Sequence, residues 1–347
     1  MRRWTLSRPG GRYVFGPVPS RRLGRSLGVD LVPFKTCSYD CIYCQLGRTT
    51  DLTVQRREYV PLEAVLSDLK ASLDRRPDYI TLSGSGEPTL YSRLGELIAG
   101  IKNLTDTPVA VLTNGSLLYD PQVRRDLAGA DLLIPSLDAG DPQVFAAVNR
   151  PHPAIDFDAM VAGLAAMRRE FSGHFWLEVF ILDGFTSDSQ VDNLVRRVKE
   201  VGAERVQLNT VCRPPAEDFA NGVRLERLAE LARRFAPQAE VIADFRGVHQ
   251  LGEFAAGRQE MLDLLRRRPC TAGGIADGLQ MHLNAVAKYL EELVTQGLVE
   301  STRSGGAVYY RARGKADVSQ APALKSTGPR KSGARHPGRD PGAMPEG

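Results

Sequence analysis

Three cysteines within eight residues, Cys37-Ser-Tyr-Asp-Cys41-Ile-Tyr-Cys44, form the most specific chemical pattern in the chain. Thiolates at C-x3-C-x2-C spacing in one loop can converge on a metal centre, and soft sulfur selects iron-sulfur clusters, zinc or copper(I). A structural zinc site needs a fourth ligand. No other Cys and no His lies within twenty residues on either side. Three protein ligands instead leave one iron of a cubane 4Fe-4S cluster open, and an open position lets a metal bind a substrate or cofactor. A second pattern, Gly84-Ser85-Gly86-Glu87-Pro88, follows a short apolar run. Its small residues allow backbone to approach a ligand closely, and Glu87 supplies a carboxylate acceptor. The remaining cysteines, Cys212 and Cys270, stand alone and read as small buried hydrophobes.

These groups need a scaffold. From about residue 27, β-type runs at 27–32, 79–83, 109–113, 132–137, 175–182 and 205–209 alternate with amphipathic helical stretches. Residues 61–75 show the helical period clearly, with Leu62, Val65, Leu66, Leu69 and Leu73 on one face. Six strand-helix repeats predict an α/β fold with a parallel sheet and right-handed crossovers. The apolar strands suit a sheet covered by helices, so a partial (β/α)6 barrel is expected ahead of a flat doubly wound sheet, although the pattern barely separates the two. Parallel barrels bind ligands at the C-terminal ends of their strands. Thr113, Asn114, Ser136, Asp138, Asn209 and Thr210 gather there, and Glu178 lies within the fifth strand.

The cysteine triplet with Tyr43 in the aromatic place, followed by Gly86-Glu87-Pro88 after the second strand, resembles the radical S-adenosylmethionine (SAM) superfamily over roughly residues 15–247. The resemblance implies that Cys37, Cys41 and Cys44 hold a 4Fe-4S cluster whose open iron takes the amino and carboxylate groups of SAM. One electron then cleaves SAM to methionine and a 5′-deoxyadenosyl radical, which abstracts a substrate hydrogen. It also implies cofactor contacts for Tyr43, Gly86 and Glu87, the last meeting the methionine ammonium. Ser136 would meet ribose or carboxylate, Asn209 or Thr210 would lie near adenine, and Thr113, Asn114, Asp138 and Glu178 would face the substrate. The implied electron donor is a reduced flavodoxin or ferredoxin. Residues 15–30 with Phe34-Lys-Thr-Cys37 are similar to bacterial and archaeal proteins related to the enzymes that build wyosine bases on tRNA, without an evident second cysteine set. There Arg21, Arg22 and Arg25 suit bidentate binding of a phosphate or carboxylate, and equally suit salt bridges that tie the arm to the acidic core.

The chain has 347 residues, 42% hydrophobic and 25% charged, a globular composition. It lacks an apolar run long enough to span a bilayer, and its first ten residues lack a signal peptide's apolar stretch, so a cytoplasmic protein without membrane contact is expected. The net charge of +4 is unevenly spread. Residues 1–26 hold seven Arg and no acid, 27–256 hold 24 basic and 32 acidic residues, 257–313 hold eight and six, and 314–347 hold six and three. A basic arm (1–26), a radical SAM core (27–247), a C-terminal module (257–313) and a tail (314–347) are expected. In the module, helices at 259–268, 271–280 and 282–296 precede a hairpin over 298–311, the pattern of a winged helix. The tail has six Gly, five Pro and no aromatic residue apart from histidine, and is expected to be disordered. Two functions compete: a radical SAM enzyme acting on an RNA base, a peptide or a protein side chain, and an iron-sulfur redox sensor that regulates DNA. The candidate recognition helix sets His282, Asn284 and Lys288 beside Glu291 and Glu292, a poor footprint for DNA.

Overall fold

Alternation along the strands builds a sheet with two different faces. In this computed structural model, which describes residues 13–20, 22–211, 215–235, 239–242, 258–279, 281, 286, 289–290, 293–294, 296–304 and 307–313, β1 (Val14–Ser20) and β2 (Gly24–Val29) form an antiparallel hairpin. The cysteine loop follows, held by the short parallel pair β3 (Thr36–Cys37) and β4 (Asp51–Leu52). Helices and strands then alternate as α1 (Leu62–Lys70), β5 (Tyr79–Leu82), α2 (Leu94–Leu104), β6 (Val109–Thr113), α3 (Pro121–Leu127), β7 (Leu132–Pro135), α4 (Pro142–Val148), α5 (Phe157–Glu170), β8 (His174–Ile181), α6 (Asp188–Val201), β9 (Arg205–Thr210), α7 (Leu225–Ala232) and β10 (Ala239–Val241). Local signals set the helix ends. Ser187 and Gln190 form a reciprocal capping box on α6, and Gly202 closes that helix in the left-handed conformation at φ 70°.

The strand order is β1-β2-β5-β6-β7-β8-β9-β10, parallel except for the first hairpin. A doubly wound sheet reverses its direction of growth, whereas this one adds every later strand at the same edge. With right-handed crossovers, the helices that connect the strands then fall on one face and the other lines an interior, which decides for the partial barrel. Val109, Val111, Leu133, Phe175, Leu177 and Val179 form the helix-facing layer, each fully buried. The opposite face carries a small apolar floor of Leu23, Ala110, Leu132 and Ile134. Above it, towards the strand C-termini, Ser83, Ser136, Glu178 and Asn209 replace apolar residues on the same face.

Two sequence expectations change. The arm expected over residues 1–26 contributes β1 and the start of β2, so the core sheet begins at Val14; Gly16, Pro17 and Pro19 had hidden its strand pattern. Among the described residues the sheet accordingly has eight strands, the expected six flanked by β1 and the short β10. Residues 1–12 and 314–347 lie outside the described residues.

In the C-terminal module, α8 (Arg258–Arg267), β11 (Cys270–Thr271), α9 (Ala272–Leu279), β12 (Val299–Ser304) and β13 (Ala307–Ala312) surround their own core of Met261, Leu265, Ile275, Leu279 and Val299. The three strands pair in the order β11-β13-β12. Cys270 is buried in this core. Val286, Leu290 and Leu293, from the stretch expected as a third helix, join it, whereas His282, Asn284, Lys288, Glu291 and Glu292 lie outside the described residues. Both α8 and α9 pack against β1. No helix among the described residues is long and apolar enough to cross a membrane.

Candidate metal centre and cavity

The cysteine loop and the Gly84–Pro88 loop lie against each other, joined by backbone. Lys35 N–H donates to Ser85 O at 2.6 Å, and Glu87 N–H donates to Thr36 O at 3.1 Å. That approach requires glycine at 86, where a Cβ would stand 1.9 Å from the Thr36 carbonyl oxygen. A Gly86→Ala variant is therefore expected to push Thr36 and Cys37 out of place, at a cost of about 1–3 kcal/mol. Iron content after anaerobic loading and the urea midpoint should both fall, and unchanged values would contradict this packing.

Each of the three sulfurs receives its own N–H donor. Asn114 Nδ2 lies 3.6 Å from Cys37 Sγ, Asn149 Nδ2 lies 3.5 Å from Cys41 Sγ, and Lys35 Nζ lies 3.1 Å from Cys44 Sγ. Lys35 is 3% exposed and adopts φ 61°, so the chain buries a cation beside a thiol in a conformation that few non-glycine residues take. Surrounding protein pushes the Cys37 thiol up to about 12, mainly by desolvation and next by the charge of Glu87, and pushes Cys41 well above the ordinary range. Thiols so placed become thiolates by bonding to a metal.

Tyr43, beside Cys44, stacks on Phe180 at 3.9 Å between ring centroids and donates its hydroxyl to Asp138. Asp138 also accepts from Asn149 Nδ2 at 2.7 Å and from the Phe180 amide at 3.0 Å. Burial pushes its carboxyl up to about 6 against the opposing pull of those three donors. Glu87 is almost fully buried. Its Oε1 accepts from the Thr89 amide, the Thr89 hydroxyl and the Thr113 hydroxyl, and its Oε2 accepts from the Asn114 amide at 2.8 Å. Desolvation raises its pKa although all four donors oppose it.

A cavity of about 410 Å³ opens on Tyr43, Cys44 and Gly86 and runs over the inner face of the sheet. Of the residues expected to meet ligands, Arg22, Tyr43, Gly86, Ser136, Glu178, Asn209 and Thr210 line it. Glu87, Thr113, Asn114 and Asp138 do not. They bind one another, Cys37 or Tyr43. Arg22, expected to receive an anion, pairs with Glu178 at 2.5 Å, and Glu178 in turn accepts from Asn209 Nδ2 at 2.8 Å. Arg21 and Cys212 lie outside the described residues. Sequence reasoning gave no role to Lys35, although it lies in the Phe34–Cys37 motif, or to Asn149, and it missed the share of α8. Leu264, Arg267 and Arg268 of that helix and its end complete the cavity wall.

Residues 31–198 match the radical SAM superfamily. The chain is similar to the UPF0026 protein of Helicobacter pylori, 32% identical over 315 residues that cover 86% of this chain and 97% of that one. The chain belongs to the UPF0026 family. This UPF0026 protein is also similar to a Brachyspira hyodysenteriae protein named GTPase Obg, 39% identical over 315 residues; the match covers 88% of this chain but 46% of that one, so the chain spans about half that relative's length. Among solved structures it is similar to Streptococcus suis SuiB bound to S-adenosylmethionine, with a TM-score of 0.49, 16% identity and coverage of 67% of this chain and 53% of that one.

The donor set of this UPF0026 protein fits a cubane cluster better than a single ion. Among the described residues no group of three or more His, Cys, Asp or Glu is placed to hold one metal ion. A cubane puts each thiolate on a different iron, which spreads the sulfurs apart, and three separate N–H donors match three separately ligated sulfurs.

Proposed function

We propose that this UPF0026 protein is a radical SAM enzyme that removes a hydrogen atom from a substrate held in the 410 Å³ cavity. The observation that carries the reading is the cavity's opening at Cys44 and Gly86, beside three cysteines that each accept one N–H. Cys37, Cys41 and Cys44 would hold a 4Fe-4S cluster, which when bound with SAM supplies one-electron cleavage of that cofactor. The chain's own residues position and enclose. The Tyr43 ring is locked by Phe180 and Asp138, and the buried Glu87 carboxylate joins the Gly86 turn to the end of β6. Ser136, Asn209 and Thr210 line the part of the wall suited to ribose and adenine. The C-terminal module, which we read as a winged helix, supports this enzyme reading over a DNA regulator, because α8 faces the cavity. The electron donor is a reduced flavodoxin or ferredoxin.

Anaerobic iron and sulfide loading followed by dithionite and SAM should release 5′-deoxyadenosine and methionine. Absence of both from protein with a full cluster would overturn the reading. The ammonium of Lys35 favours the more negative, reduced state of the centre. Lys35→Met should therefore lower the midpoint potential, by about 60 mV for a tenfold change in the one-electron equilibrium. A redox titration followed by EPR measures this, and an unchanged or raised potential would count against the role of Lys35.

A further inference from the structure

Among the described residues that line the cavity, the charges do not cancel. Arg22 is paired with Glu178, and Arg267 is paired with Asp30 while its guanidinium lies 3.7 Å over the Phe15 ring. The fifth charged residue of the lining, Arg268, follows the last turn of α8 with its amide bonded to Leu264 O at 3.2 Å. Its guanidinium makes no hydrogen bond or ion pair to any described residue. Neighbouring Arg266 shows the ordinary alternative, an exposed bond to Asp263 at 2.8 Å. A half-buried guanidinium presents five donors in a rigid fork that suits an oxyanion, and burial makes an unmet charge costly.

SAM cannot supply the missing partner. Its sulfonium and ammonium outweigh its carboxylate, so it enters as a net cation and increases the positive excess. The three thiolates already have the Lys35, Asn114 and Asn149 donors beside them, which leaves an anion on the second ligand as the partner that Arg268 lacks. We infer that Arg268 is the anchor for a phosphate or carboxylate group on the substrate, and that the C-terminal module contributes to catalysis by delivering this one cation to the cavity wall. The inference rests on the radical SAM reading for its use of SAM. The anion site itself is made of this chain's residues alone.

Arg22 explains why the site lies at the far end of the chain. The sequence places its densest positive charge in the first 26 residues, yet the described cavity arginine from that region is neutralised by Glu178. The unneutralised one comes from residue 268.

Full-length protein, without a cluster and in low-salt buffer, would be titrated by calorimetry with inorganic phosphate and, separately, with acetate. The wild type should bind at least one probe, and the stronger of the two identifies the substrate's anion as phosphate or carboxylate. Arg268→Gln should weaken that binding about tenfold or more, Arg268→Lys should weaken it less by retaining the charge, and Arg303→Gln, on the exposed face of β12, should leave it unchanged. Binding of neither probe, or equal affinity in wild type and Arg268→Gln with both proteins folded by circular dichroism, would overturn the inference. Phosphate or acetate binding lost in Arg268→Gln, with no SAM cleavage by the loaded wild type, would strike the radical SAM reading while leaving the anion site standing.

Discussion

Cys41→Ala is expected to lose the 4Fe-4S cluster completely, with no residual brown chromophore after anaerobic loading. Two thiolates remain in that variant, and a cubane that already has one iron without a protein ligand cannot be retained by two. Cys37→Ala and Cys44→Ala should behave alike. Cys270→Ala should keep its full iron content, because Cys270 is buried in the separate core of the C-terminal module among Met261, Leu265 and Ile275. Asn149→Ala provides a graded comparison. It removes the N–H on Cys41 Sγ and one of the donors to Asp138, yet leaves all three ligands, so the cluster should form and be lost faster in air. Iron and sulfide analysis checks the series, and full cluster retention in Cys41→Ala would contradict the ligand assignment.

Arg267→Ala should cost about 3 kcal/mol of unfolding free energy. Its side chain and that of Asp30 are 14% and 17% exposed, and removing one partner of a largely buried ion pair leaves the other charge uncompensated. Asp30 holds the Ser85 amide at 3.0 Å, so the loss reaches the Gly84–Pro88 loop directly. Gly84, at φ 122°, has room only for hydrogen there, since a Cβ would stand 1.9 Å from Asp30 Oδ1. Asp30→Asn combined with Arg267→Ala should recover a large part of the loss. Urea unfolding of the two single variants and the double variant gives the coupling energy. A single-variant loss below about 0.5 kcal/mol would show the pair to be a solvated surface contact.

What the sequence displayed followed from how local each signal was. The cysteine triplet and Gly86-Glu87 are contiguous, and the six central strands carry apolar β-type runs, so the candidate ligands, the turn and the parallel sheet were legible in the sequence. β1 was concealed by its own Gly16, Pro17 and Pro19. Lys35 and Asn149 could not be read, because nothing in a single lysine or asparagine says that it will meet a sulfur from another part of the fold. Residues 41 and 149, far apart in the chain, are brought together by backbone hydrogen bonds from Asp40 and Ile42 to Asn149 and Val148. Glu87, Thr113, Asn114 and Asp138 illustrate the same limit in reverse. Each lies at a strand end or turn, where ligand contact is common, and whether such a residue faces the cavity or stands one layer behind it depends on three-dimensional packing. Arg268 belongs to a module that looked like a separate domain, and its place in the cavity follows from α8 packing on β1.

The central claim is that Cys37, Cys41 and Cys44 hold a cluster with one coordination position open to SAM. The direct measurement is the EPR spectrum of the dithionite-reduced, iron-loaded protein with and without SAM. The account predicts one reduced 4Fe-4S signal per chain whose g-values shift when SAM is added. A signal of full intensity that is unchanged at saturating SAM would contradict it.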